Sequence, residues 1–440
     1  MMFCVVFFFL VSLISSNTAA PPPGVKVRIT ENVKSLKDLG LMYLNGLVNK
    51  QFPIEIKYLP IKSVTLTKLQ ADPAQVDFSF QENIGLQFEI KDLKFSLELQ
   101  RELNMPFFTQ FNIIEGTTTI TGEGVRATIT VRMNKNQKGH LNVEIPRDNC
   151  IINADTIRIT STGFTGLVWD SLRPLYQYLF NNKICPALQP MINDKLKDLP
   201  MMRTVHEDRQ LDLDYSLSSD IAVTSRSLDI SFKGLMSVHG QAVDTDSKRA
   251  GKEPVFTETN KMVYVGISEF FFNGAAMAIY KSGQLEFNVP EMEGISKAGQ
   301  EISGIKPGPW TAELTEAPII QISKAGLSAT VNFKAQHKDE QKVFLMTCKV
   351  DMNVEFKERH LTMKFKLPKC DDKSGKIIEK IKAFFVNILH ELITKWFAEE
   401  IPIPLPPELS LINAKTQYEE GYLVVGGSLT FNPQSSRNAG

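Results

Sequence analysis

The chain has no charge of one sign to spare: 49 Lys and Arg balance 49 Asp and Glu over 440 residues. A neutral chain exerts no global pull on nucleic acid or on anionic membranes, so an electrostatic partner would need a local patch. No basic run interleaved with aromatics occurs, and nucleic acid is not an expected partner. Histidine is scarce too, with six residues scattered at His140, His206, His239, His337, His360 and His390. His390-Glu391 starts like a metalloprotease helix, but Thr394 stands where the second imidazole ligand must be. No C-x-x-C pair and no G-x-S-x-G elbow is present. Gly122-Glu123-Gly124-Val125-Arg126-Ala127 loosely matches a dinucleotide loop. The segment beyond it, Ala127–Val131, alternates as a strand, so no helix N-terminus would hold a pyrophosphate. That glycine pair reads as a hairpin turn. The expectation is therefore not an enzyme, with no catalytic residues, no metal and no cofactor.

Long apolar runs are lacking beyond the start of the chain. Cys4–Ile14 is an apolar segment succeeded by small residues, Ser15 to Ala20. It is shorter than the roughly 20 apolar residues that span a bilayer, so residues 1–20 read as a signal peptide and the protein as secreted and extracellular. The leader lacks the usual Lys or Arg, and Pro21-Pro22-Pro23 directly after Ala20 leaves the cleavage position open. No Asn-x-Ser/Thr sequon occurs.

Cysteine is sparse and even in number once Cys4 leaves with the leader: Cys150, Cys185, Cys348 and Cys370 remain. In an oxidising compartment that count suggests pairing rather than metal binding. Cys150 ends a strand-like segment and Cys185 lies late in a helical stretch, so a bridge between them would tie helix to sheet. Cys348 and Cys370 flank an expected hairpin, Val343–Phe356 and His360–Leu367, turning near Lys357–Arg359. The fold-back sets residue 348 opposite 369 or 370, and a second disulfide or two buried thiols are the alternatives.

What the chain has in abundance is alternation. From Ile54 to Ile159 apolar residues recur every second position, as in Ile54/Ile56/Tyr58, Val76/Phe78/Phe80, Leu86/Phe88/Ile90 and Phe95/Leu97/Leu99. Such runs, separated by turns such as Ala71-Asp72-Pro73, predict an antiparallel meander. Strands resume at Leu211–Leu217, Ile221–Thr224 and Ser227–Phe232, and are expected to dominate from Met262 to Leu367. Helical spacing marks three segments. The first carries Val33, Leu36, Gly40, Tyr43, Leu44 and Leu47 on one face, and its glycines suggest a close helix–sheet contact or room for a ligand chain. The second, Leu167–Leu199, stripes Val168, Leu172, Leu175, Leu179 and Ile184, with Pro174, Pro186 and Pro190 to start, kink or break it. The third, Lys376–Glu400, is apolar over more than half its circumference, a width that means burial on two sides. The two long helices each come after strands and run into proline. This repeat suggests a duplicated module in which a barrel-like sheet carries one long helix. The expected organisation is a signal peptide at 1–20, a first domain at 21–240, a polar linker at 241–260 and a second domain at 261–440.

Three segments carry a family resemblance. MVYVGISEFFFNG from Met262, the tail IPIPLP from Ile401 with Leu409–Thr416 and YLVVGG from Tyr422, and GVKVRI from Gly24 resemble the family of bactericidal/permeability-increasing protein, lipopolysaccharide-binding protein and lipid transfer proteins. The resemblance implies an α+β fold: two tubular barrel-plus-long-helix domains joined by a shared central antiparallel sheet in a boomerang shape. It places Cys150 and Cys185 where the family's disulfide joins strand to helix. It also implies an apolar pocket for phospholipid acyl chains in each domain. Helix faces and family position together nominate Leu44, Leu47, Leu172, Tyr176 and Leu179 as walls of the first. Phe271, Phe272, Phe385, Leu389 and Leu392 are the candidates for the second.

The expected function is a secreted lipid-binding protein, with phospholipid or another diacyl lipid as ligand and lipid transfer as a further activity. The alternative is an innate-immune antibacterial or lipopolysaccharide-binding protein that meets microbial membrane surfaces. At the segments where the family's endotoxin binders cluster cations, this chain has only Lys50, Lys57, Lys62 and Arg101, interleaved with Glu55, Glu98 and Glu102. That is a weak phosphate trap.

Overall fold

The computed structural model describes residues 22–33, 35–54, 61–103, 114–162, 175–197, 210–241, 251–283, 310–337, 343–357, 359–372 and 409–431, with short stretches at 199, 201–206, 285–286, 386–387, 389–390, 393–394, 401–403 and 405. The signal peptide, Leu172, Phe385 and Leu392 lie outside them.

A six-stranded antiparallel sheet joins the two halves of the chain. Its order is Ala222–Val223, Ser227–Phe232, Val25–Thr30, Val263–Ser268, Tyr422–Phe431 and Leu409–Glu419. The seam runs along Val25–Thr30, whose Val27 faces Ile230 on one side and Val265 on the other. First-half and second-half strands thus share one hydrogen-bonded ladder. Over this sheet lie residues of the expected linker: Phe256 packs on Tyr264 and Val424, and Arg28 clamps Asp229 at 2.7 Å and 2.8 Å while donating to the Phe256 carbonyl.

To one side stands a seven-stranded curled sheet built from Gln51–Pro53, Ile61–Gln70, Val76–Gln81, Gly85–Leu103, Ile114–Lys135, Leu141–Glu144 and Cys150–Ser161. To the other stands an eight-stranded sheet whose longest members are Gly326–His337 and Val343–Lys357. A three-stranded piece, Leu235–Val238, Leu211–Asp214 and Met202–His206, completes the description. The fold is α+β, two curled sheets with helices laid against them and a shared antiparallel sheet between.

Several local expectations change. The runs Leu86/Phe88/Ile90 and Phe95/Leu97/Leu99 are one strand, Gly85–Leu103. Buried positions switch from Ile90 to Leu93, Phe95 and Leu97, across a register irregularity at Asp92, which adopts φ 55°. The bulge moves the alternation by one residue and keeps the apolar face inward. The partner strand does the same: burial passes from Ile120 to Val125, Ala127 and Ile129. Gly122-Glu123-Gly124 is therefore no hairpin turn but the middle of the continuous strand Ile114–Lys135. Gly124 takes φ +63°, and a Cβ at Gly122 would stand 2.3 Å from the Phe95 ring.

Within Met262–Leu367 the segment Glu269–Lys281 is a helix, not a strand. Phe270, Phe271, Phe272, Ala275, Ala276, Ala278 and Ile279 are all buried. Its less buried side, Gly274, Met277, Tyr280 and Lys281, has helical spacing, but only Lys281 is charged, so the stripe is easily passed over in sequence. Asn273 on this helix grips a strand edge: its Oδ1 accepts from the Ile320 amide at 2.9 Å and its Nδ2 donates to the Ile320 carbonyl at 3.2 Å.

We label the helices α1, Ser35–Asn45; α2, Leu175–Leu179; α3, Cys185–Lys197; and α4, Glu269–Lys281. A π turn, Phe180–Ile184, joins α2 to α3. It places the carbonyl four residues before Pro186 in a wider turn, so that the helix continues through Pro186, while Pro190 lies farther on inside α3. Of the expected second long helix, Val386, Leu389 and Ile393 are described, helical and buried.

The hairpin around the later cysteines forms as Val343–Lys357 and His360–Phe365, with Lys357 opposite His360. The chain then slips by one residue, and Lys369–Asp372 returns to pair Cys370 with Cys348. A disulfide joins them, and another joins Cys150 to Cys185.

Candidate functional site

Beneath the first half of the central sheet lies a cavity of about 590 Å³. Its roof is the underside of that sheet, with Val27, Ile29, Leu228, Ile230 and Val263 facing down. One wall is the inner face of the curled sheet, represented by Phe80, Phe88, Ile129, Val131 and Val143. Helix α1 supplies Leu36, Leu39, Gly40 and Leu44, and helix α3 supplies Leu188, Ile192 and Leu196. Ile403 and Leu405 of the proline-rich tail, with Leu409 and Leu429, complete the lining from the second half of the chain.

Each wall is held in place by an identifiable interaction. Helix α3 lies along the edge of the curled sheet and satisfies its backbone with side-chain amides. Asn193 accepts from the Val143 amide and donates to the Val143 carbonyl, both at 2.8 Å, and Gln189 accepts from the Ile145 amide at 3.0 Å. The edge is thereby capped without closing the barrel. The Cys150–Cys185 disulfide fixes the start of the same helix, and the Ala154 amide donates to Tyr176 Oη at 3.2 Å. Helix α1 approaches closely where it has no side chain: a Cβ on Gly40 would stand 2.9 Å from the Phe88 ring, and one on Gly46, just past its end, would stand 2.8 Å from Met191.

The nominated wall residues divide. Leu44 lines this cavity, and both Leu44 and Leu47 border a second space of about 20 Å³ beside α1. Tyr176 and Leu179 sit in the core between α2 and the curled sheet, where the Tyr176 ring stacks on Phe95. Phe271, Phe272 and Leu389 belong to the core around the central and eight-stranded sheets. The roof residues and the tail residues Ile403 and Leu405 are not among those that helix faces nominate. Their apolar pattern is visible in sequence, but it does not say that two halves meet around one space.

The lining includes the cations Lys37, Lys195 and Arg203 and, among the described residues, no acidic residue. Asp77 stands 3.9 Å from Lys37. Tyr215 is in the wall and 2% exposed. Burial pushes its phenol far above the ordinary tyrosine range, with the nearby Arg203 guanidinium pulling the other way. The phenol is therefore neutral, and a donor, throughout physiological pH. Among the described residues no cluster of His, Cys, Asp and Glu is arranged to hold a metal.

The architecture matches a solved structure of lipopolysaccharide-binding protein with TM-score 0.56, covering 93% of this chain and 99% of that one at 16% identity. The model of the LBP / BPI / CETP family C-terminal domain matches residues 204–298. The chain is similar in sequence and in fold to proteins of this family. Its match to human phospholipid transfer protein is 27% identical over 60% of this chain and 54% of that protein, about half of the relative's length. Human lipopolysaccharide-binding protein is 20% identical over 79% of each chain. Mouse BPI fold-containing family C protein is 20% identical over 97% of this chain and 93% of the relative. The family-model match straddles the expected linker, beginning on strand Met202–His206 and extending past α4. It therefore takes in the segment holding Tyr215 and the central strand Val263–Ser268. Among the described residues no helix is long and apolar enough to cross a membrane.

Proposed function

We propose that this protein is a secreted, non-enzymatic carrier that holds phospholipid acyl chains in the cavity beneath its central sheet and delivers them to acceptor particles or membranes. The cavity carries the reading. At about 590 Å³ it falls inside the range of roughly 300–1,000 Å³ typical of small-molecule sites. Water is a poor filler, because a buried water needs about two to four polar partners and the lining is almost wholly aliphatic or aromatic. Hydrocarbon is a good one: each methylene removed from water contributes about 0.8 kcal/mol. The relatedness to phospholipid transfer protein and lipopolysaccharide-binding protein points to the same ligand chemistry.

The test is lipid analysis of protein purified from the medium of a secreting host. Stoichiometric phospholipid on solvent extraction is expected, and its retention through high-salt washing separates chain burial from capture of lipopolysaccharide by surface charge, which weakens with ionic strength. Protein that carries no acyl lipid and takes none up from phosphatidylcholine vesicles would refute the reading.

A further inference from the structure

One corner of the cavity is not apolar. Tyr215 is fixed there by its backbone amide, which donates to the Met201 carbonyl at 2.6 Å, and by its ring, edge-on to Phe232 with centroids 6.5 Å apart. Among the described residues its hydroxyl has no hydrogen-bond partner. Tyr215 lines the cavity, and a group that enters with an acceptor gives its hydroxyl the hydrogen bond that the apolar walls do not supply.

The neighbouring strand supplies the charge. Arg203 stands opposite Leu213, two residues before Tyr215, and Met201 lies opposite Tyr215. Alternation puts Met201, Arg203 and Tyr215 on one face, and all three line the cavity. The acids of these strands fall on the other face and are engaged there. Asp212 accepts from Thr204 at 2.9 Å and contacts His239 at 2.6 Å, while Asp214 holds Lys233 at 3.1 Å. Lys195, on the last turn of α3, reaches the cavity as well. Arg203 is exposed and makes no ion pair among the described residues, so this corner is where the cavity meets solvent.

We propose that this corner seats the head of the bound lipid, and that the head presents anionic oxygens. Tyr215 donates a hydrogen bond to one such oxygen, and Arg203 neutralises it from the solvent side. The chains run on into the apolar space between α1, α3 and the central sheet. A guanidinium suits this position because its planar fork matches both carboxylate and phosphate. The proposal rests on the carrier reading and adds the class of ligand.

The experiment uses the stripped full-length protein and chain-matched probes: palmitate against hexadecanol, and dipalmitoyl phosphatidic acid against dipalmitoylglycerol. An anionic probe is expected to bind at least about tenfold more tightly than its uncharged counterpart. Tyr215→Phe and Arg203→Gln should each shrink that ratio several-fold. Arg203 is exposed, so its variant does not endanger folding. A preference confined to palmitate identifies a carboxylate head, and one confined to the phosphatidic acid a phosphate head. Ratios near one in the unaltered protein, or ratios that neither substitution moves, overturn the assignment while the carrier reading stands. Binding of none of the probes overturns both.

Discussion

Enlarging a wall residue distinguishes a cavity from a close-packed core, because the two give opposite signs. Val143 is 3% exposed and faces the cavity from the edge strand beside α3. Val64 is equally inaccessible, at 0%, but borders neither cavity and lies in the packed face of the curled sheet. In a close-packed interior, added bulk forces neighbours off their rotamers, at about 1–3 kcal/mol. Val64→Phe should therefore destabilise by that amount. The phenyl of Val143→Phe enters free space instead and gains apolar contact. At about 0.8 kcal/mol per buried methylene, discounted for imperfect fit, it should stabilise the stripped protein by ~1–2 kcal/mol. For a cooperative unit of about 150–250 residues that is an increase in melting temperature of roughly 2–8 °C, read by calorimetry. The same substitution removes room for hydrocarbon, so lipid recovered per chain should fall and the gap in melting temperature between loaded and stripped protein should narrow. Destabilisation of stripped Val143→Phe comparable to that of Val64→Phe would show that the wall is packed, and the carrier reading would lose its main support.

Two further outcomes concern contacts that hold the frame. Asn273→Leu removes the side-chain partners of the Ile320 amide and carbonyl. At about 1–3 kcal/mol for each orphaned group, urea unfolding should show a loss of ~2–5 kcal/mol; a loss under about 1 kcal/mol would mean that the strand edge finds other partners. Replacing Cys150 and Cys185 together by Ser opens a link across 35 residues. The chain-entropy model puts the cost at about 3–4 kcal/mol, visible as a lower melting temperature, and loosened docking of α3 should speed lipid release. Unchanged stability and release would show that Asn193, Gln189 and Tyr176 hold the helix unaided.

Much of this architecture was legible because burial imposes a period on sequence. The strands around Val76, Leu86 and Phe95, the stripe of α1 and the hairpin carrying Cys348 and Cys370 all announce themselves through which positions are apolar. Where the period slips, the slip itself is information. Apolar residues fall on even positions through Ile90 and on odd positions from Leu93, and the partner strand makes the same change between Ile120 and Val125. A single strand can keep one face inward across such a change only by adding a residue, so the phase change marks a bulge and not the end of an element. Reading the glycines at 122 and 124 as a turn overlooks that coincidence. Helix α4 escapes notice for another reason: the side it turns outward, Gly274, Met277, Tyr280 and Lys281, is barely polar, so its helical spacing stands out little.

The cavity belongs to a different category, because an apolar side chain has the same pattern whether it faces another side chain or a hydrocarbon tail. Tyr176 and Leu44 illustrate this. Both lie on apolar helix faces, yet Tyr176 closes on Phe95 and the Ala154 amide while Leu44 borders free space. What decides between them is the distance at which α1 and α3 are held from the sheets, and that is set by groups with no periodic signature. Asn193 and Gln189 hold α3 on the sheet edge, and Gly40 lets α1 approach Phe88. The roof comes from strands far apart in the chain, Val25–Thr30 and Val263–Ser268, joined in register. A polar residue in an apolar wall is more telling than any of the leucines. Tyr215 lines the cavity beside Arg203, and its hydroxyl meets no hydrogen-bond partner among the described residues. The physical case for a ligand with a polar end therefore rests on that one residue more than on the width of any hydrophobic stripe.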